Sequence, residues 1–427
     1  MLIVADDLGW GDVGANGQTR ILTPEIDGLA RSGTRLTQAW SGAPVCAPSR
    51  CVLITGRHLG NSPIRENIEV QPEGQAPLPA GTPNLFFAAK TKGYKTACIG
   101  KWGLGPPGSS GDPLAIGVDR FFGFNCQRHA HNYFPEWLYD DRAKRQLGGF
   151  AYAPQLMLDE SVKFIEVNRE RPWLLAFTSP LPHLALQVPS TTLERYRGAF
   201  PETPYDGKRG YRPHPTPRAA YAAMVSYLDD SVGTLLRALD RTGQACNTLV
   251  IFTSDNGATY TGGADTTYFN STGGLRGFKG SAYEGGLRVP LIMRWPGRIA
   301  AGATSDIPTA SYDLWPTIAA ATGIPAPPQP DGQSLLAQLR DSTAVAPDRP
   351  IFVDFAGYGG WIAVREGRWK IVRNGTNKRP DGPFELFDLE TDPSERSNAA
   401  ALHPEIVERL AKFAAKECAR AKTAAAH

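Results

Sequence analysis

The chain has 427 residues, 41% hydrophobic and 20% charged, a balance that places it among globular proteins and excludes disordered and fibrous ones. Its formal net charge is only +3, and no run of lysines or arginines could track a phosphate backbone, which excludes nucleic acid as a partner and leaves any anion specificity to be local. No apolar run reaches the roughly 18 to 20 residues of a membrane helix, and the six cysteines (46, 51, 98, 126, 246 and 418) form neither a zinc-like CxxC pair nor a disulfide scaffold.

The first five residues, Met1-Leu2-Ile3-Val4-Ala5, read as the end of a buried strand rather than as a signal peptide, which would carry a basic segment and a cleavage site. Short β-rich runs at 2–5, 35–40, 94–99, 173–178, 248–253 and 289–294 alternate with helical patterns. Thr23-Pro24 and Thr82-Pro83 each predict a capping hydroxyl followed by proline at the first helical position. Over 217–240 the set Tyr221, Met224, Leu228, Val232, Leu235, Leu236 and Leu239 predicts one face of a long helix. Residues 201–217 read as a surface loop, and 323–350 as a linker rich in proline and polar residues. Beyond it, strands at 351–355, 361–365, 368–372 and 385–389 predict a small antiparallel sheet, and a closing helix over 404–420 turns Ile406, Leu410 and Phe413 to one side.

The expected architecture is therefore α/β. A large, mostly parallel central sheet with helices on both faces should occupy residues 1–335, and a C-terminal subdomain with the antiparallel sheet and terminal helix residues 336–427.

Two acidic clusters stand at predicted strand ends, where open α/β sheets gather ligands: Asp6-Asp7 after the opening strand, and Asp255-Asn256 after 248–253. Their carboxylate and carboxamide oxygens suit a hard divalent cation such as Ca²⁺ or Mg²⁺ rather than zinc. Read singly, each is also a turn or a helix cap. Cys46-Ala47-Pro48-Ser49-Arg50 reads as the entry to a helix, where backbone amides and Arg50 would stabilise a bound anion; the plain alternative is an ordinary buried thiol.

Taken in order, these strings give the chain a resemblance to the sulfatase family of the alkaline-phosphatase-like superfamily. The resemblance rests on the Asp6-Asp7 and Cys46 strings, Gly100-Lys101-Trp102-Gly103-Leu104-Gly105, Pro182-His183, Asp255-Asn256-Gly257, Lys279-Gly280 and Glu284-Gly285-Gly286-Leu287-Arg288. It implies that a maturation enzyme oxidises Cys46 to formylglycine, whose hydrated aldehyde supplies the nucleophilic oxygen. It also implies that Asp6, Asp7, Asp255 and Asn256 bind the cation, calcium or else magnesium, and that Arg50, Lys101 and Lys279 neutralise the developing charge. By the same resemblance His183 protonates the leaving alcohol.

One position departs from the family string Gly-Lys-Trp-His-Leu-Gly: the second histidine is replaced by Gly103. His129 and His131, two apart and so expected on one side of an extended segment, are candidates for that second histidine or for a substrate contact. Asn132, Tyr133, Arg276 and Arg288 are further candidates for substrate binding. The expected reaction is hydrolysis of an organic sulfate ester, a sulfated saccharide or other small molecule, with aryl sulfates as surrogates. Its rivals are a phosphonate or phosphate ester hydrolase of the same superfamily and a silent binding protein with the same fold. By family resemblance the location is periplasmic or secreted if a signal peptide has been lost, and otherwise cytoplasmic.

Overall fold

The computed structural model describes residues 1–71, 73–341, 344 and 349–425. Its centre is a ten-stranded mixed sheet in the order Ala303–Ser305, Thr34–Leu36, Leu291–Arg294, Val250–Ser254, Leu2–Ala5, Trp173–Thr178, Lys95–Lys101, Arg120–Phe124, Trp137–Asp140 and Ala143–Gln146. The five strands from Val250–Ser254 to Arg120–Phe124 run parallel. Their carboxyl ends, Ser254, Ala5, Thr178, Lys101 and Phe124, consequently share one edge, the edge where such sheets bind ligands.

The buried strands are apolar on both faces, as parallel strands covered by helices must be. Side chains alternate across the sheet, so Ile3 and Ala5 join Phe177, Phe252 and the long helix Pro217–Arg241 on one side. Leu2 and Val4 join Cys98, Ala176 and residues Leu53 and Ile54 of helix Cys46–Thr55 on the other.

The C-terminal sheet runs Ile351–Phe355, Trp361–Glu366, Trp369–Asn374 and Glu385–Asp388, each antiparallel to the next. Helix Pro404–Ala425 covers one face through Leu410, Phe413 and Ala414. The other face puts Val353, Phe355 and Trp361 against Trp40, Val45 and Leu287, so burying the small sheet requires the large one. Across that seam Lys370 bridges Glu284 at 3.0 Å and Glu395 at 2.8 Å, all three fully buried. Among the described residues no helix is long and apolar enough to cross a membrane.

Several local expectations are corrected. Thr23 does not cap its helix: its hydroxyl accepts from the Gly14 N–H and donates to Asp27, while Asp229 of the long helix accepts the N–H groups of Glu25 and Ile26 at 3.1 and 2.7 Å. The helix expected at Pro83 starts at Leu85, because the Asn84 side chain captures the Phe87 N–H at 3.0 Å. The single strand expected at 35–40 is two, Thr34–Leu36 in the large sheet and Ala39–Trp40 paired with Thr309–Ala310. The stretch read as linker at 323–350 includes helix Leu336–Arg340, whose Leu339 joins the core beneath the large sheet; residues 342, 343 and 345–348 of it lie outside the described residues.

Candidate active site

Each strand end contributes to one buried cluster. Asp6 and Asp7 follow Leu2–Ala5, Asp255 and Asn256 follow Val250–Ser254, Lys101 closes its own strand, and His183 sits five residues past Trp173–Thr178. Cys46 opens helix Cys46–Thr55, and Arg50, one turn on, is buried with it.

The Lys101 ammonium lies 2.5 Å from Asp6 Oδ2 and 3.5 Å from Cys46 Sγ. Lys279 approaches from a separate loop, 2.7 Å from Asp7 Oδ1 and 3.5 Å from the same sulfur. Arg50 donates to Asp255 Oδ2 at 2.8 Å and to the Lys101 carbonyl at 2.6 Å. His183 Nε2 stands 3.6 Å from Asp7 Oδ2, while its Nδ1 is 2.7 Å from the Leu184 carbonyl. A carbonyl only accepts, so Nδ1 carries a proton and Nε2 is the nitrogen left for chemistry. Three carboxylates thus face three cations around one sulfur.

Burial would raise the Asp6 carboxyl, but Lys101, His183 and Arg50 outweigh it and hold the group well below the usual carboxylate range. Asp255 is pushed up, first by burial and then by the charge of Asp6. Burial opposes the charge on Lys101 and Lys279, yet their carboxylate partners keep both ammonium groups firmly protonated. The Cys46 thiol is pushed up to about 12, by burial first and by Asp6 second, despite the two lysines beside it. At neutral pH the unmodified side chain is a thiol and a poor nucleophile. Burial lowers His183 to about 4, so its ring is neutral at pH 7.

The donor set can hold a metal ion. Asp6, Asp7, Cys46 and His183 each offer a ligand atom within 4.8 Å of the others. Asn256 gives its amide N–H to Asp7 Oδ1 at 2.7 Å and keeps a buried Oδ1 without a partner, an oxygen that a cation would satisfy.

Of the two flagged histidines only His131 reaches this cluster, because the segment His129–His131 is a 3₁₀ turn rather than extended. His131 stacks on His183 with centroids 5.0 Å apart and planes 13° off parallel. His129 turns away, edge-on to Phe124 and 4.1 Å from the Trp137 ring. Tyr133 is fully buried, and its single O–H is shared between the carbonyls of Pro180 and His183, 2.6 and 2.5 Å away, so it shapes the His183 loop instead of meeting substrate. Asn132 closes a turn with Phe134, and Arg288 is buried against Glu284. Arg276 lies 3.6 Å over the Tyr283 ring and donates to the Glu395 carbonyl. These contacts tie Asn132, Tyr133 and Arg288 to other parts of the protein and place Arg276 at the seam between the two sheets.

Sequence reasoning missed Gln127 and Asn125. Gly103 has φ +84°, and a Cβ there would lie 2.5 Å from the Gln127 amide nitrogen. Both amide groups are buried, and neither their nitrogen nor their oxygen atoms find a partner among the described residues. The signal available was the glycine itself, which marks a close approach of another group.

The sulfatase family model matches residues 1–324, and the model for the N-sulphoglucosamine sulphohydrolase C-terminal region matches residues 278–417. The chain belongs to the sulfatase family. Human arylsulfatase A is 31% identical, over 96% of this chain and 85% of its own. Mouse N-acetylgalactosamine-6-sulfatase is 30% identical, over 93% and 81%. The crystal structure of Ps i-CgsB in complex with k-i-k-neocarrahexaose superposes on this sulfatase with a TM-score of 0.83 at 28% identity, covering 97% of this chain and 92% of that one. A phosphonate monoester hydrolase superposes at 0.72 with 20% identity, a likeness in fold alone.

Proposed function

We propose that this sulfatase removes sulfate from a saccharide, using formylglycine made from Cys46 as nucleophile, calcium held by Asp6, Asp7, Asp255 and Asn256, and His183 as general acid. The observation that carries the reading is the convergence of Lys101 and Lys279, each 3.5 Å from Cys46 Sγ, on a thiol that remains protonated at neutral pH. Such a thiol gains nothing from two lysines beside it, whereas a hydrated aldehyde beside a sulfate ester gains stabilisation of every oxygen that becomes negative. The aldehyde, once formed and hydrated, supplies the oxygen that attacks sulfur, and the cation supplies Lewis-acid polarisation of sulfate.

The chain's own groups do the rest. Arg50, tied to the Lys101 carbonyl and to Asp255, fixes one wall of the anion pocket. Lys101, fully buried, and Lys279, 15% exposed, carry positive charge beside the nucleophile, where a low local dielectric strengthens it. His183 holds its Nε2 toward Asp7 and the pocket, placed to pass a proton to the departing alcohol oxygen. A saccharide is favoured because relatives sharing nearly the full length are named for, or were solved with, saccharides.

The test is co-expression with a maturation enzyme, followed by mass spectrometry of the Cys46 peptide with an aldehyde-specific probe and by sulfate release from saccharide sulfates. The expected result is an aldehyde at Cys46 and activity in proportion to it. A fully active preparation containing only unmodified Cys46 would refute the mechanism.

A further inference from the structure

Tyr358 sits in the hairpin between Ile351–Phe355 and Trp361–Glu366, yet its ring stays outside the core of that sheet: the residue is 72% exposed. Its backbone is left-handed at φ +54°, a conformation strained for a non-glycine residue. The ring lies on Gly280, the neighbour of Lys279. A Cβ at 280 would come within 2.5 Å of the Tyr358 ring, so glycine is required there for the ring to lie as it does. The hairpin is pinned in place: Trp361 Nε1 donates to the Gly280 carbonyl at 3.0 Å, and Asn377 donates to the Ala356 carbonyl at 2.8 Å. A large ring is thus held in water, at a backbone cost, beside a lysine that touches Cys46. Within the C-terminal sheet it meets the Phe355 ring edge-on, centroids 5.6 Å apart, and the rest of the ring is left to solvent.

A second tyrosine repeats the pattern from another part of the chain. Tyr211, in the loop before the long helix, has φ +66° and places its ring 5.1 Å from His131 and 6.0 Å from His183. Both hydroxyls lie within the electrostatic reach of Lys279, Cys46 and Asp7. Of the six non-glycine residues with positive φ among the described residues, Asp7, Tyr211 and Tyr358 border this one site. Backbone strain gathers where function over-determines geometry.

Resting on the sulfate-ester reading above, we infer that Tyr358 and Tyr211 are two walls of a leaving-group subsite that grips the pyranose ring of a sulfated saccharide. The leaving oxygen must face His183, so the ring that bears it extends past Tyr211 on the histidine side and Tyr358 on the Lys279 side. A phenol offers an apolar face with a hydroxyl rim. That pattern complements a pyranose, with its C–H faces and hydroxylated edge, better than a steroid, apolar throughout.

The experiment compares wild-type, Tyr358→Ala and Tyr358→Phe enzyme, each carrying the aldehyde. Substrates are galactose, N-acetylgalactosamine and glucosamine monosulfates, with an aryl and a steryl sulfate alongside, and inorganic sulfate as inhibitor. Tyr358→Ala should raise KM about 3- to 10-fold for the best monosaccharide sulfate, the size of one lost ring contact. In that variant kcat should stay within about 2-fold, Tyr358→Phe, which keeps the ring face but loses the hydroxyl rim, should give a KM between those of wild type and Tyr358→Ala, and the sulfate inhibition constant should not move. An unchanged KM in Tyr358→Ala overturns the proposal. So does a KM that rises in step with the sulfate inhibition constant, since that marks damage to the sulfate pocket, and so does wild-type activity confined to the aryl or steryl ester. An aldehyde-bearing wild-type enzyme that hydrolyses none of these esters overturns the sulfate-ester reading itself.

Discussion

His183→Ala separates proton donation from every other task of the site. In the folded protein the ring is 3% exposed, its Nδ1 is tied to the Leu184 carbonyl at 2.7 Å, and Nε2 gains a proton only when the ring is charged. Burial, the largest influence, lowers the ring to about 4, so at pH 7 about one free enzyme in a thousand holds that proton. A bound sulfate ester brings a negative charge that favours the imidazolium. General-acid help contributes about 10²- to 10⁴-fold, and only where the leaving group needs it. For a sugar sulfate, whose alkoxide leaves poorly, His183→Ala should lower kcat/KM by that factor. For an activated aryl sulfate the loss should stay within about 10-fold. Because the group's affinity for a proton is lowered, wild-type kcat/KM on the sugar ester should rise as pH falls from 7 toward 4, and the variant should lose that rise. Steady-state kinetics on the matched pair of esters from pH 5 to 8 measures both effects. Equal losses on the two esters, with melting temperature and metal content unchanged, would refute the assignment.

Asp255→Ala removes a proposed cation ligand and strips Arg50 of its 2.8 Å partner, so Asp255→Asn should be measured beside it to limit the cost of the unpaired buried guanidinium. Both variants should lose bound calcium by elemental analysis and lose turnover, and chelation of wild-type enzyme should reproduce that loss; full activity in a verified metal-free sample counts against the site. Away from the chemistry, burial pushes the Asp229 carboxyl up to about 7, against the N–H groups of Ile26 and Glu25 that favour its charge. A raised folded pKa stabilises the protonated fold, so this contribution is complete below pH 4 and fades as pH rises to 7. Asp229→Asn should therefore gain on wild type by up to about 4 kcal/mol between pH 4 and 8, read by urea unfolding; a gap independent of pH would show that Asp229 stays ionised throughout.

The reaction core was legible because each of its parts is local. A strand that ends in two acids announces itself in five or six residues, and the parallel topology then gathers Asp6, Asp255 and Lys101 at one edge without further information. The strands missed were those with no local contrast. Ala143–Gln146 is exposed at every position and carries no alternation, and Arg120–Phe124 puts three phenylalanines around a glycine. The walls of the pocket were illegible for a different reason. Tyr358 and Tyr211 look like turn residues in the sequence, and only the packing of one on Gly280 and the other on His131 brings them to the site.

The departure at Gly103 follows the same logic. The family string places an imidazole after Lys101-Trp102, and here the space at the Gly103 α-carbon is taken by the Gln127 amide. That amide can donate a hydrogen bond but cannot take a proton at any pH an enzyme meets. Yet two imidazoles remain, because the turn at His129–His131 lays His131 flat on His183. Burial, and then the neighbouring His183, lowers His131 to about 3, so it too is a neutral ring with an available lone pair. The two are not equivalent. His183 is anchored to a backbone carbonyl and faces Asp7, whereas His131 is held by ring contacts with His183 and Tyr211. Two stacked rings 5.0 Å apart cannot both carry charge cheaply in a buried site, so a proton on one lowers the affinity of the other. The turn at His129–His131 thus couples two imidazoles face to face beside the position where Gly103 carries none.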